Sequence, residues 1–498
     1  MKLTILGGGG FRVPLVYQAL AGGDLITELV LFDSSAERLA VISRVLEGMD
    51  LPLRFRTATD LDDAVRDADF VFAAIRVGGT PGRIVDERVA LKLGLLGQET
   101  IGAGGLAYAL RTIPVMTRVA ERIAALAPQA WTINFTNPAG IVTEAMREVL
   151  GDRVVGICDT PIGLVRRVHR VAEAAGLAGT GTGSGGAASD STESGSTESG
   201  STASDSTESG SGAQLGAIDY VGLNHLGWLR GLEVNGTDVL PGILERDDLL
   251  EEIEEARTVG FDWVRAHRAL PNEYLFYYLF HDRAVRSITG APATRGEYLL
   301  QQQSAFYDAV SSADQAPGSP GGAEAAARIW AEALHEREST YMAESRDDGE
   351  ARREEDVAGG GYQEVALRLM TAIATNTQER MILDVGNAPA DSPAGDPSAR
   401  LIPELPADLV VEVPCVVNGS GVHPEPLRAP LALDQLGLIA RQRASERRIR
   451  TAALTGNRTE AWLGFSEHPL IESPERGRQL LDAYIADHEE LARLFTQH

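Results

Sequence analysis

The start of the chain limits the fold more than any other segment. An apolar run, Lys2 to Leu6, breaks into four glycines, Gly7 to Gly10, and resumes at Phe11-Arg12-Val13-Pro14 as an amphipathic stretch. Glycines directly after a strand allow a tight turn and let backbone N–H groups approach a pyrophosphate at a helix N-terminus. The next apolar run, ELVLF, closes on Asp33, where a carboxylate can accept ribose hydroxyls and repel the extra phosphate of NADP. Val13 stands near the position of a third glycine, so the pattern departs from a clean G-x-G-x-x-G. The strand, the helix and Asp33 carry the reading together. Gly7, Gly9, Gly10, Phe11 and Asp33 are expected to bind NAD, with an ordinary glycine-rich turn as the alternative.

Beyond the turn, short apolar runs alternate with helical ones: PLVYQALAG, ELVLFD, ERLAVISRVLEGM, ADFVFAAI, WTINFTNP and RVVGICD. Strands separated by crossover helices imply a parallel sheet covered on both faces. The fold class expected is α/β, with a Rossmann-like, doubly wound parallel sheet over residues 1–160. A chain of 498 residues exceeds what one core usually supports, so a second lobe is expected over residues 161–498. Its patterns are mixed α+β and helix-rich: strand-like DYVGLNH, RMILDVGN and LVVEVPCVVN, helical TRGEYLLQQQSAFYDAV and EVALRLMTAIATN, and a helical tail from Leu431 to Phe495. Residues 179–216 repeat a Ser-Thr-Glu-Ser-Gly unit with almost no apolar side chains. Such a segment buries too little surface to offset its ordering entropy, and a disordered insert is expected. The charged, Gly-rich stretch from Gln315 to Gly361 is expected to be partly mobile.

A formal charge of −26 argues against a nucleic-acid or anionic-membrane partner, which would want a basic face. An anionic small substrate would need a local cluster of arginines against that background. The two cysteines, Cys158 and Cys415, make a disulfide framework implausible and fit a reducing compartment. With no signal-like or membrane-length apolar stretch, a cytoplasmic location is expected.

Cys158, in GICDTP, and His225, in GLNHLGW, each follow an apolar strand-like run, where open α/β sheets place functional groups. A thiolate and an imidazole suit a borderline or soft divalent metal, and two protein ligands leave positions open for substrate oxygens. The residues alone also allow a buried small hydrophobe and a satisfied core histidine.

The ordered stretches GGGGFRVP, Asp86-Glu87-Arg88 through GLLGQETIGAGG, LRTIPV, NFTNPAG, GICDTP, GLNHLGW, LPNEYLFYY, TRGE and VEVPCVVNGSGVHP resemble the NAD- and metal-dependent glycoside hydrolase family 4. The resemblance covers nearly the whole chain apart from the 179–216 insert. It implies an unusual hydrolysis, outside the two-carboxylate scheme. NAD+ takes hydride from sugar C-3, a base removes the now acidic C-2 proton, the glycosidic oxygen leaves C-1, water adds, and the hydride returns.

By the same resemblance Cys158 and His225 are metal ligands, usually for Mn2+, and Tyr274 is the base at C-2. Such a base needs its pKa drawn well down from about 10 by the metal or a nearby arginine. Arg295, in TRGE, is expected near the substrate and able to supply that charge. Asn137 and Glu99 are expected at substrate hydroxyls, and Arg83 at a 6-phosphate. Arg12 and Arg76 are further candidates for anion contact. Asp159, after the metal cysteine, matches the leaving-group acid of family members acting on α-linked substrates, whereas GGGGFRVP and CDTPIGL look more like members that act on 6-phospho-β-glucosides. The β reading is preferred. A phosphorylated disaccharide or glycoside is the expected substrate, and a homodimer or homotetramer the expected assembly. A 2-hydroxy-acid dehydrogenase and a non-catalytic sugar-phosphate sensor are the readings outside the family.

Overall fold

One sheet runs through the whole molecule, and its parallel half is built as the alternating pattern predicts. The computed structural model describes residues 1–177, 215–313, 322–346, 353, 361–392 and 396–496. Strands β1 (Lys2–Leu6), β2 (Glu28–Phe32), β3 (Phe55–Ala58), β4 (Phe70–Ala73), β5 (Trp131–Asn134) and β6 (Val154–Gly156) lie in the spatial order 3-2-1-4-5-6. All five neighbouring pairs are parallel, the doubly wound arrangement of dinucleotide-binding sheets. Successive side chains point to opposite faces. Phe70 and Phe72 accordingly join one core with Val16 and Ile42, while Val71 and Ala73 join another with Leu110, Phe465 and Tyr484.

The second lobe extends this sheet instead of forming a separate one. Strands β7 (Leu215–Leu223), β8 (Leu226–Val234), β9 (Thr237–Asp238), β10 (Leu270–Pro271), β11 (Glu379–Gly386), β12 (Val410–Asn418) and β13 (Gly421–Pro424) complete thirteen strands among the described residues. β11 joins β6 antiparallel, with Asp384 opposite Gly156. A Cβ at Gly156 would lie 2.6 Å from the Asp384 carboxylate, so only glycine fits that junction. From β11 the order continues through β12, β7, β8 and β10, all antiparallel.

Most of the expected insert lies outside the described residues; its last two, Leu215 and Gly216, belong to β7, whose pairing with β8 extends further than the apolar run suggested. Within the Gln315–Gly361 stretch, Gly322–Ser339 is a helix that packs on the helices Ala36–Glu47 and Arg295–Ala313, burying Trp330 and Ala326. The remainder of that stretch lies largely outside the described residues. The tail folds as helices Leu433–Thr455, Arg458–Glu467, Pro474–Asp487 and Glu489–Thr496, which return to the first lobe and pack against its long helix Gly102–Leu126.

Candidate active site

The carboxyl ends of four parallel strands open onto one cavity of about 870 Å³. Gly7 follows β1, Arg76 follows β4, Asn137 follows β5 and Cys158 follows β6, so the sheet itself gathers residues far apart in sequence. The same cavity is lined by Gly10, Phe11, Asp33, Arg83, Glu99, Asp159, His225, Tyr274 and Arg295. Every expected site residue except Gly9 faces it.

At the nucleotide end Gly7 adopts φ +91°, and a Cβ there would stand 2.5 Å from the Ala74 carbonyl oxygen. The turn is thus a cradle that glycine alone fills. Gly9 points elsewhere: its N–H donates to Asp33 Oδ2 at 3.1 Å, and a Cβ would meet Arg38 Cβ at 2.7 Å. It seats the turn on Asp33 and on the helix Ala36–Glu47. Ser35, the N-cap of that helix, donates its N–H to Asp33 Oδ1 at 3.0 Å, fixing the carboxylate at the cavity wall. Turn, helix and carboxylate fit a dinucleotide.

Cys158 is buried two residues beyond Gly156, with Sγ 3.3 Å from Thr160 Oγ1. Burial first, then Asp159 and Glu412, hold its thiol well above the ordinary range. His225 occupies the two-residue turn between β7 and β8 at φ +65°, a left-handed conformation that costs a non-glycine residue roughly 1–3 kcal/mol. Burial pushes its imidazole down to about 4, so it is neutral at working pH and keeps a lone pair for a metal. No group of three or more His, Cys, Asp and Glu side chains able to hold a metal occurs among the described residues. A thiol and a neutral imidazole in one cavity fit a divalent ion that completes its coordination with substrate oxygens.

Tyr274 stacks face to face on His225, with ring centroids 3.9 Å apart and planes 16° from parallel. Its hydroxyl meets that of Tyr341 at 3.0 Å, and the Tyr341 hydroxyl donates to Glu273 Oε1 at 2.9 Å. Burial, then Glu273, raise the Tyr274 phenol well above its ordinary value, and only the Tyr341 hydrogen bond opposes them appreciably. Arg295 is not among the principal groups acting on that phenol. Its guanidinium donates to Thr340 Oγ1 at 2.6 Å and to the Arg337 carbonyl at 2.9 Å, fastening the helix Arg295–Ala313 to the end of the helix Gly322–Ser339.

Glu99 lies between Arg76, at 2.5 Å, and Arg83, at 2.7 Å. Burial alone would raise its carboxyl, yet the two guanidinium groups hold it down at about 2. Arg83 also pairs with Glu87 at 2.6 Å, so two carboxylates already answer its charge. Asn137 lines the cavity from a cis Asn137–Pro138 peptide bond. Asp159 precedes the helix Thr160–Ala174 on the side of Arg12, Tyr341 and Tyr362, whose charges or hydroxyls it influences.

Sequence reasoning missed three aromatic donors. Tyr307 Oη donates to the Gly9 carbonyl at 2.7 Å, Trp330 Nε1 to that of Phe11 at 2.8 Å, and Tyr362 Oη to that of Arg12 at 3.1 Å. The second lobe therefore fixes the carbonyls of the glycine turn. Also missed was a buried chain behind the thiol. Asn272 Nδ2 donates to Thr160 Oγ1 at 2.7 Å, and Tyr220 Oη, 3.4 Å from the same amide nitrogen, donates to Glu412 Oε2 at 2.8 Å. Burial, then the facing Asp384, push Glu412 well above the carboxylate range, and burial lifts Asp384 to about 7. No local sequence pattern marks any of these partners.

Two family models match the chain, Family 4 glycosyl hydrolase over residues 2–174 and Family 4 glycosyl hydrolase C-terminal domain over residues 220–471. The chain is 30% identical over 472 residues to a maltose-6'-phosphate glucosidase of Bacillus subtilis strain 168, covering 90% of this chain and 86% of that protein. It is 26% identical over 510 residues to a 6-phospho-beta-glucosidase of Escherichia coli strain K12, covering 98% and 96%. The crystal structure of a 6-phospho-alpha-glucosidase from gut microorganisms, in complex with NAD and Mn2+, aligns with a TM-score of 0.69 at 26% identity over 97% of each chain. A 6-phospho-beta glucosidase from Thermotoga maritima shares the fold, with a TM-score of 0.74 at 23% identity over 99% of each. With both models matched along most of its length, the chain belongs to glycosyl hydrolase family 4 and is a glycosidase.

Proposed function

We propose that this glycosidase hydrolyses 6-phospho-β-glucosides and requires NAD+ and a divalent metal, Mn2+ by preference. The observation that carries the reading is a single cavity uniting a dinucleotide turn and Asp33 with Cys158, His225 and Tyr274. When bound, NAD+ supplies a reversible hydride acceptor for sugar C-3, and the metal a Lewis acid for the oxygens on C-2 and C-3. Cys158 and His225 hold the metal; Gly7, Gly10, Phe11 and Asp33 hold the dinucleotide, with Gly9 shaping the turn. Tyr274 takes the C-2 proton, and the Tyr341 hydroxyl and Glu273 give that proton a route away from the ring. The C-1–O bond then breaks, with Asp159 giving a proton to the departing oxygen. Water adds at C-1 as C-2 regains its proton from Tyr274. Asn137 and Glu99 orient sugar hydroxyls, Arg83 faces the 6-phosphate beside Glu99, and Arg295 holds residues 337–340 at the cavity wall.

A second reading has specific support. The relative at 30% identity is a maltose-6'-phosphate glucosidase, and the family resemblance links an aspartate after the metal cysteine, here Asp159, with α-linked substrates. Elimination tolerates either anomer, because the departing bond need not be attacked in line. The test is hydrolysis of p-nitrophenyl 6-phospho-β-glucoside and its α-anomer, with and without NAD+ and Mn2+, under reducing conditions. The β-anomer is expected to turn over faster, with both cofactors required and no net NADH formed. A faster α-anomer would establish the second reading, turnover without NAD+ would discard the oxidative route, and accumulating NADH would mark a dehydrogenase. C158S and H225A should abolish metal-dependent turnover and leave NAD+ affinity near normal. We also propose a cytoplasmic homodimer or homotetramer, its mass to be read by light scattering; among the described residues no helix is long and apolar enough to cross a membrane.

A further inference from the structure

The buried hydrogen bonds behind Cys158 have a fixed direction. Asn272 follows β10 and is 1% exposed, with its backbone N–H on the Gly227 carbonyl at 2.8 Å. Its Oδ1 accepts the N–H of Tyr274 at 3.0 Å, which settles the orientation of the amide. The other end, Nδ2, faces Thr160 and Tyr220 and can only donate. Thr160 Oγ1 therefore accepts from Asn272, at 2.7 Å. A hydroxyl has one proton to give, and Cys158 Sγ lies 3.3 Å from the same oxygen. A thiol loses its proton when it binds a divalent metal, after which its sulfur only accepts. The Thr160 proton then goes to sulfur. On the other arm Tyr220 Oη gives its own proton to Glu412 at 2.8 Å, and its lone pair faces the Asn272 amide at 3.4 Å. Both amide protons of Asn272 thus have acceptors.

We propose that Thr160 and Asn272 are positioning residues for the metal: the Thr160 hydroxyl donates to the Cys158 thiolate, and Asn272, reaching from the second lobe, aims that hydroxyl. The assignment rests on the proposed reading of Cys158 as a metal ligand. A hydrogen bond to a metal-bound thiolate fixes the direction of its lone pairs and draws charge from the sulfur, which leaves the metal a stronger Lewis acid toward substrate oxygens. The same bridge ties the metal cysteine to the proposed base. One end of the Asn272 amide holds the backbone of Tyr274, and the other, through Thr160, holds Cys158. Two groups from different lobes, which have to act on adjacent carbons of one sugar, are thereby kept at one spacing. The rival account is that hydroxyl and amide merely satisfy each other in a buried place. Removing the hydroxyl at constant side-chain shape separates the two.

The test is titration of the whole metal-free protein with Mn2+, followed by the electron paramagnetic resonance of the free ion, and with Co2+, followed by the thiolate-to-metal charge-transfer band, for wild type, T160V, T160S and N272D. Each protein is also titrated with NAD+. T160V should bind Mn2+ about 10-fold or more weakly, the usual cost of losing a partner of a metal ligand, and its Co2+ band should move to lower energy because the sulfur keeps more charge. NAD+ affinity should stay at the wild-type value, and T160S should restore both the Mn2+ affinity and the band. N272D keeps the acceptor for Tyr274 but faces Thr160 with a carboxylate, which turns the hydroxyl away from sulfur; its band should move as in T160V. Wild-type Mn2+ affinity and an unmoved band in T160V would overturn the proposal and leave Cys158 a metal ligand. Failure of T160S to restore either quantity would trace the effect to packing of the methyl group and overturn it equally. An unmoved band in N272D would remove Asn272 from the bridge. A wild-type Co2+ protein without any thiolate band would instead overturn the reading of Cys158 as a ligand, and the proposal with it.

Discussion

Tyr274 shows how a residue's surroundings set the conditions under which it can work. Its phenol is buried beside Glu273 and raised well above the ordinary value, so the protein alone keeps it protonated. The base proposed at C-2 therefore comes into being only when something else in the cavity stabilises the phenolate, and the stack on His225 places its ring against a proposed metal ligand. The Tyr341 hydroxyl, whose one proton goes to Glu273, accepts from Tyr274 and links the phenol to that carboxylate. Replacing Tyr274 by Phe keeps the stack and removes the acid–base oxygen. In Y274F, exchange of the substrate C-2 proton with deuterated solvent, followed by NMR with both cofactors present, should fall by about 10²-fold or more, the usual contribution of a positioned base. An unchanged exchange rate would discard Tyr274 as the base.

At the scale of elements, the glycine turn is held from outside its own lobe. Helices Arg295–Ala313, Gly322–Ser339 and Tyr362–Thr375 each send one aromatic donor to a carbonyl of residues 9–12. With those carbonyls satisfied, the turn keeps one shape and presents its N–H side to a ligand. Tyr307 tests this most cleanly, because Phe removes only the hydroxyl. Burial lifts that phenol to about 12, so it remains a donor across working pH. Y307F should lose about 1 kcal/mol of NAD+ affinity, a several-fold rise in Kd by titration, with little change in the circular dichroism spectrum. An unchanged Kd would mean that the turn holds its shape unaided. The contrast with what the sequence discloses is instructive. Gly7, Asp33 and Cys158 are legible because strand ends and turns are local, and strand order places them together. Tyr307, Trp330 and Tyr362 are not, because aromatic positions on a helix look alike until packing decides which one meets the turn. The packing of Gly9 against Arg38 is hidden for a related reason: a run of glycines does not say which of them yields space to a neighbouring helix.

At the scale of the molecule, the two halves are joined, besides those helix contacts, by the continuous sheet at β6–β11 and by the returning C-terminal helices. The second junction is polar at its centre. Asp86 receives both terminal nitrogens of Arg111, at 2.8 and 2.6 Å, and lies 2.9 Å from His488 Nε2, while Tyr484 Oη donates to the Asp86 carbonyl at 2.9 Å. Asp86 and Arg111 are essentially inaccessible to water, at 1% and 3% exposure. Removing one partner there leaves a buried charge without an answer, which costs about 3–5 kcal/mol. Asp86 also shares the helix Gly79–Lys92 with Arg83 and Glu87, so the clamp that receives the end of the chain also seats one wall of the cavity. D86N should therefore lower the guanidinium midpoint by an amount corresponding to that loss, with tryptophan fluorescence and NAD+ binding lost in the same transition. If instead only the helices beyond Pro474 become open to trypsin while NAD+ binding keeps its midpoint, the C-terminal helices are an appendage, and the first lobe holds the cavity wall without them.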